Sequence, residues 1–333
     1  MSDVTPAPTP PASGRTPLEG IDPLITSIQP GGGICMRLEL AWGHLRRFYL
    51  KTFRYAYVSR MADLRQGTKN VCPHEVLDPR DVKFYRNLGG YFWRRQDDPF
   101  AWRDQLPFAR AGLTELWMIP GFFFLVALGV HYIHWLLPIV PLFLAACIIY
   151  FFRNPYRIVP RSPGLVVSPA DGKITHIEEI AHDDFIGGPA VMIGIFLSVF
   201  NVHINRTPVP AKVIGIRYRK GKFLNAMRPE SSRENEQLAL RIEENRAPYR
   251  RMIVRQITGA IARRIVCWVK PGDELDGGEQ FGMIKLGSRT ELVLPREAAL
   301  QIMVQVGQNV KAGSSIIARY SVPPAISQTA PGS

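Results

Sequence analysis

The hydropathy pattern divides the chain into three textures. From Leu116 to Phe152 there is no Asp, Glu, Lys or Arg, a run of 37 residues. As one helix this run would reach about 55 Å, against a hydrocarbon core of about 30 Å, so it is expected to bend. His131, Tyr132, His134 and Trp135 lie near its middle, and Pro138 and Pro141 follow. The pattern predicts a helical hairpin of two short spans or a shallow re-entrant pair, the alternative being one span plus a buried helix. Over residues 36–65, Leu38, Trp42, Leu45, Tyr49, Phe53 and Tyr57 recur every three to four positions among Arg46, Arg47, Lys51, Arg54 and Arg60. This is the period of an amphipathic helix. It suits an anionic membrane surface, or equally a core-packing helix with a solvated face. From 164 onward short β-branched runs alternate with Gly, Pro and Asp turns. Strands are expected at 165–167, 173–180, 191–197, 213–218, 252–257, 265–269, 301–306 and 315–320.

These textures predict a disordered tail (1–34), a basic helical extension (35–110), a membrane hairpin (111–152), a mainly β domain (153–320) and a loose tail (321–333). The first tail is rich in Pro, Thr, Ser and Gly, and no basic segment followed by an apolar core marks a secretory signal. Segment 269–284 resembles segment 306–317 in its turn–hydrophobic–turn order, like the hammerheads of barrel-sandwich hybrids. The fold class read from this is mainly β, barrel-sandwich-hybrid-like, with N-terminal helices and the hairpin.

Charge sharpens this picture. The net charge is +13, and two stretches, 185–229 and 245–272, hold no acid but seven bases each. Such fields attract anionic headgroups. No nucleic-acid module is recognisable, so membrane is the favoured partner. Bases flank the apolar run on both sides (Arg103 and Arg110; Arg153, Arg157 and Arg161), which fits a hairpin with both ends cytoplasmic. The four cysteines are far apart and form no C-x-x-C pair, so no metal site or dithiol chemistry is expected.

Four phrases could carry chemistry: Ser168–Lys173 around Asp171, Asn201–Pro208 around His203, Gly221–Asn225 followed by Glu234–Glu236, and Phe281–Ser288. Singly each has a bland reading: a turn, a structural histidine, a polar loop, a common dipeptide. In this order, with Phe151–Pro155 before them and 254–264 between the last two, they resemble the short, mainly prokaryotic branch of the phosphatidylserine decarboxylase family over about residues 150–320.

The resemblance implies an enzyme that makes its own covalent pyruvoyl cofactor from Ser288 by splitting the chain between Gly287 and Ser288. The products are a β chain (1–287) and an α chain (288–333), with no metal. By the same resemblance His203 is the base that takes the proton from Ser288, and Asp171 orients and charge-stabilises His203. Gly287, lacking a Cβ, leaves the scissile carbonyl open and tolerates strained angles. The pyruvoyl carbonyl is then the electron sink for loss of CO₂ from the serine headgroup. Arg206, Lys222 and Asn225 are candidate substrate-binding residues. The longer branch of the family carries a second histidine where this chain has Arg206, so His203 performs both duties or another group shares them. The implied setting is the cytoplasmic face of the inner membrane, with a phospholipid substrate; a homo-oligomer is compatible with the sequence. Two alternatives remain at this stage: a related serine phospholipid such as archaetidylserine, or a non-enzymatic lipoyl- or biotinyl-like carrier.

Overall fold

The computed structural model describes residues 15–225, 230–260, 264–285 and 287–321. Residues 1–14 and 322–333, together with Arg228, Arg263 and Leu286, lie outside the described residues.

The extension forms helices α1 (Ile34–Phe53) and α2 (Tyr55–Leu64), broken at Arg54, and a small ladder of β1 (Gln66–Gly67) with β2 (Tyr91–Phe92). The uncharged run folds into α3 (Leu113–His131) and α4 (Ile139–Phe151), packed on each other as a hairpin. Its two ends are clasped together. Phe108 bridges Arg153, and the Ala109 amide donates to the Phe152 carbonyl at 2.8 Å. With α3 the segment Arg110–His131 is long and apolar enough to cross a membrane, whereas α4 has 13 residues and spans only about 20 Å. The hairpin surface is apolar and open, with Trp117, Leu125, Tyr132 and Phe143 all exposed.

The β domain comprises β3 (Leu165–Val167), β4 (Gly172–Asp183), β5 (Gly188–Leu197), β6 (Ile204–Arg206) and β7 (Ala211–Arg219). After the single turn α5 (Ser231–Glu234) come β8 (Gln237–Glu244), β9 (Arg251–Thr258), β10 (Arg264–Cys267), β11 (Glu274–Leu275) and β12 (Gln280–Lys285). The last four are β13 (Ser288–Pro295), β14 (Leu300–Ile302), β15 (Asn309–Val310) and β16 (Ile316–Tyr320). An eight-stranded antiparallel sheet runs β11-β7-β8-β9-β13-β5-β4-β15, with two three-stranded sheets, β10-β12-β6 and β14-β16-β3. The mainly β class is as expected. The two turn repeats end on equivalent strands, since β11 and β15 are the opposite edges of the large sheet. Among the longer strands β8, β12 and β13 are absent from those expected, as are the short β6, β11 and β15. On β8 alternate residues Leu238, Leu240 and Ile242 are fully buried in the main core, whereas β13 is buried on both faces, with Leu292 and Leu294 in the main core and Val293 in a second cluster.

Composition misjudges residues 15–33. They are a strap laid along the β domain, with Ile25 and Ile28 buried. The Glu19 amide donates to the Ile214 carbonyl (2.9 Å), the Cys267 amide to the Ile28 carbonyl (2.8 Å), and Glu19 pairs with Arg217 and Arg241. Pro and Gly remove regular structure, but the sheet supplies the missing backbone partners.

Candidate active site

β13 lies between β5 and β9, and Ser288, its first residue, is paired with Leu197 on one side and Thr258 on the other. Directly opposed residues of antiparallel strands share a face. Ser288, Thr290, Gln256 and Thr258 therefore make a polar square on the inner face of an otherwise aliphatic sheet. Gln256 donates to the Asn205 side-chain carbonyl (2.8 Å), and Asn205 donates to the Thr290 hydroxyl (3.0 Å). Ser288 is fully buried, and its Oγ has no hydrogen-bond partner among the described residues. A buried hydroxyl without a partner costs about 1–3 kcal/mol, so it marks a functional atom or a strained one.

Just before it, Gly287 has φ +58°. A Cβ there would meet only Val199 Cγ1, at 3.9 Å, so space is not what requires glycine. The left-handed backbone is. The Gly287 amide donates to Nε2 of His203 at 3.2 Å. On the other side of the ring, Nδ1 lies 2.9 Å from the Asn201 carbonyl. A carbonyl can only accept, so Nδ1 carries the proton and Nε2 the lone pair. His203 is fully buried with Phe151, the last residue of α4, against its ring at a centroid distance of 4.5 Å. Burial pushes its pKa down to about 4, and the nearby Arg153 adds to the effect. The imidazole is a neutral base at physiological pH.

Asp171 is placed differently from the expectation. The orienting partner of His203 is the Asn201 carbonyl, and the Asp171 carboxylate instead accepts from Arg157 Nη2 (2.7 Å) and the Ala312 amide (2.8 Å). The reason lies in the chain that follows. A Cβ on Gly172 would sit 2.2 Å from the Phe196 carbonyl, so this turn is pressed against β5. Asp171 there faces Arg157, in the segment that precedes β3, and the 311–315 turn. Burial raises its pKa, opposed by the Ala312 N–H and Arg157.

The remaining candidates separate. Arg206 donates to the Gly278 carbonyl (2.9 Å) and lies close enough to Asp171 to feel its charge. Lys222 is exposed and pairs with Glu234 at 2.7 Å. Its loop, which includes Asn225, is tied to the Ser288 neighbourhood by Asn235. That side chain bonds the Leu224 backbone on one side and the Thr258 carbonyl (2.7 Å) on the other. The sequence pointed to no part in the reaction site for Asn201, Phe151, Arg157, Asn205, Gln256 or Asn235, Arg157 being read only as a base flanking the apolar run. All but Arg157 fall inside the phrases that carry the resemblance, which was the available signal. Among the described residues no cluster of metal-ligating side chains occurs.

A family model described as phosphatidylserine decarboxylase matches residues 144–318. The phosphatidylserine decarboxylase proenzyme of Rhodopirellula baltica is 53% identical over 239 residues, covering 72% of this chain and 99% of that protein. Those of Carboxydothermus hydrogenoformans (45% over 204 residues, 60% of this chain and 94% of the other) and Syntrophus aciditrophicus (41% over 224 residues, 67% and 99%) are similar in kind. With β3 to β15, most of β16 and every candidate residue inside the matched span, the chain belongs to the phosphatidylserine decarboxylase family, and it is a carboxy-lyase.

Proposed function

We propose that this chain cleaves itself between Gly287 and Ser288 and then decarboxylates phosphatidylserine at a membrane surface. The observation that carries the reading is the buried, unpartnered Ser288 hydroxyl, next to a left-handed Gly287 whose amide is held by a neutral His203. His203 Nε2 exchanges the Gly287 amide for the Ser288 hydroxyl and takes its proton. Oγ attacks the Gly287 carbonyl carbon, the peptide C–N bond breaks, and the proton passes to the Ser288 nitrogen, leaving an ester. Removal of the Ser288 Cα proton breaks the Oγ–Cβ bond. Gly287 leaves as a carboxylate, and water then displaces ammonia from the dehydroalanine to give the pyruvoyl end. Asp171 acts as a positioning residue, anchoring Arg157 and the 311–315 turn.

The residues present suit such a group. Its carbonyl would lie at the start of a strand bonded on both sides, so the α chain stays knitted into the sheets through β13, β14, β15 and β16 after the cut. When present, the pyruvoyl group supplies an electron-withdrawing carbonyl that accepts the electron pair as CO₂ departs. His203 and the Asn205–Gln256–Thr290 network hold polar contacts around it in a dry core. The hairpin α3–α4 sits in the bilayer. Because Phe151 packs on His203, the reacting serine lies at the foot of that hairpin, where a headgroup reaches it without leaving the membrane. The bases at both hairpin ends favour the cytoplasmic face.

The test is the intact mass of purified full-length protein. Two chains corresponding to 1–287 and 288–333 are expected, the smaller blocked at its N-terminus and trapped by borohydride or hydroxylamine. A single uncut chain with full decarboxylase activity would overturn the proposal. The backbone of Gly287 gives a second check. In uncleavable Ser288→Ala protein, Gly287→Ala is expected to lower stability by about 1–2 kcal/mol in denaturant unfolding, from the left-handed conformation alone. An unchanged midpoint would mean that the turn relaxes freely.

A further inference from the structure

Where the extension meets the β domain there is a cavity of about 470 Å³, and well over half of its lining residues precede the family match. Its bases are Lys83, Arg86, Arg95 and Arg110 from the extension and Arg206 from β6; its acids are Asp104 and Glu279. Asp104 is taken by Arg110 at 2.7 Å, and Lys83 is taken by Glu39. Among the described residues Arg86, Arg95 and Arg206 stand in no ion pair within 4.0 Å, yet all three face this one space. Arg86 and Arg95 are exposed at the rim, and Arg206 is lowered below the ordinary arginine pKa by burial and by Arg157, opposed by Asp171. Five bases against two carboxylates leave this cavity with a surplus of positive charge, which favours an anion with planar oxygens.

The cavity also has a membrane side. Lys83 and Arg110 line a second cavity of about 600 Å³, bounded by α1 and the foot of α3, with Trp42, Trp102 and Trp117 at its wall. All three tryptophans are exposed. Here α1 is turned inside out. Arg46 and Arg47 point inward onto the fully buried Asp78 and Asp81, while Leu38, Leu45, Phe48 and Phe53 face outward. An outward aromatic row that meets an apolar hairpin suits the interfacial zone of a bilayer. Of the two openings left by the sequence, the membrane-surface helix is the one this geometry favours.

We infer that the seam cavity binds the phosphodiester of an anionic phospholipid, reached from the bilayer past α1 and the foot of α3. Planar guanidinium groups match phosphate oxygens two at a time, and the cavity size suits a glycerophospholipid headgroup. The surplus of guanidinium charge repels a choline, so anionic lipids are selected over zwitterionic ones. The inference rests on the membrane setting proposed above but not on the Ser288 chemistry.

The experiment is native mass spectrometry of the full-length, detergent-solubilised protein titrated with phosphatidylglycerol, which has no amino acid to decarboxylate. Retained phosphatidylglycerol is expected for the natural protein and for Ser288→Ala alike, with phosphatidylcholine bound at least tenfold more weakly. The doubly substituted Arg86→Ala, Arg95→Ala protein is expected to bind phosphatidylglycerol at least tenfold more weakly. A Lys311→Ala, Arg319→Ala protein, which loses the same charge elsewhere, is expected to bind like the natural one. Equal retention by the two double variants would overturn the site. Displacement by an equal concentration of glycerol phosphate would overturn the lipid assignment in favour of free phosphate. Since no reading depends on cleavage, a failure here leaves the Ser288 proposal standing, and the reverse also holds.

Discussion

Ser288→Ala is expected to leave the chain in one piece, without decarboxylase activity, and at least as stable as the natural precursor. The loss is complete because the substitution removes both the attacking oxygen and the atoms that become the pyruvoyl end. The stability follows from burial. Ser288 Oγ is inaccessible and makes no hydrogen bond among the described residues, so removing it relieves a desolvated polar group worth about 1–3 kcal/mol rather than breaking a contact. Strand pairing of residue 288 with Leu197 and Thr258 uses the backbone only. Intact mass, lipid product analysis and unfolding of the same preparation check all three. A cut or active Ser288→Ala would remove the serine from the reaction.

His203→Gln is expected to slow cleavage at least a hundredfold while the chain remains folded. Glutamine retains an acceptor for the Gly287 amide but has no basicity, and a positioned general base contributes about 10²–10⁴ in rate. Cleavage of newly made chain followed by mass against time gives the rate, and cleavage at the natural rate would exclude His203 as the base. The pH dependence follows from the same ring. Its pKa of about 4 leaves it neutral across the physiological range, so the cleavage rate is expected to be flat from about pH 5 upward and to fall as pH drops through 4. Stability carries the opposite linkage to an ion-paired histidine. Between about pH 4 and the unfolded value near 6.5 the unfolded chain binds the proton and the folded chain does not. The folded state therefore loses stability as pH falls through that window, by up to about 3 kcal/mol for this group.

Much of the architecture was legible along the chain. The uncharged run had to bend because it is longer than a bilayer is thick, and it does bend, into α3 and α4. Strands bounded by turn residues were found near their expected places. β8 and β13 were not, because the first sits between two loop-like phrases and the second begins inside the motif that drew attention to its chemistry. The carrier alternative rested on the hammerhead turns alone. Those turns are real, closing the two edges of the large sheet, but membership of a carboxy-lyase family decides between a shared architecture and a shared function.

By itself the sequence determined the mainly β class, the apolar hairpin and which serine and histidine to examine, because periodicity, the absence of charge and ordered motifs are properties of the chain. Only the tertiary structure decided what each residue touches. It gave Asp171 to Arg157 and the His203 proton to the Asn201 carbonyl, laid residues 15–33 along the sheet, and turned the arginines of α1 inward onto Asp78 and Asp81. Charge and period alone cannot assign such partners. A carboxylate binds whichever donor the fold brings within hydrogen-bond reach, and that is settled by long-range packing among residues far apart in the chain.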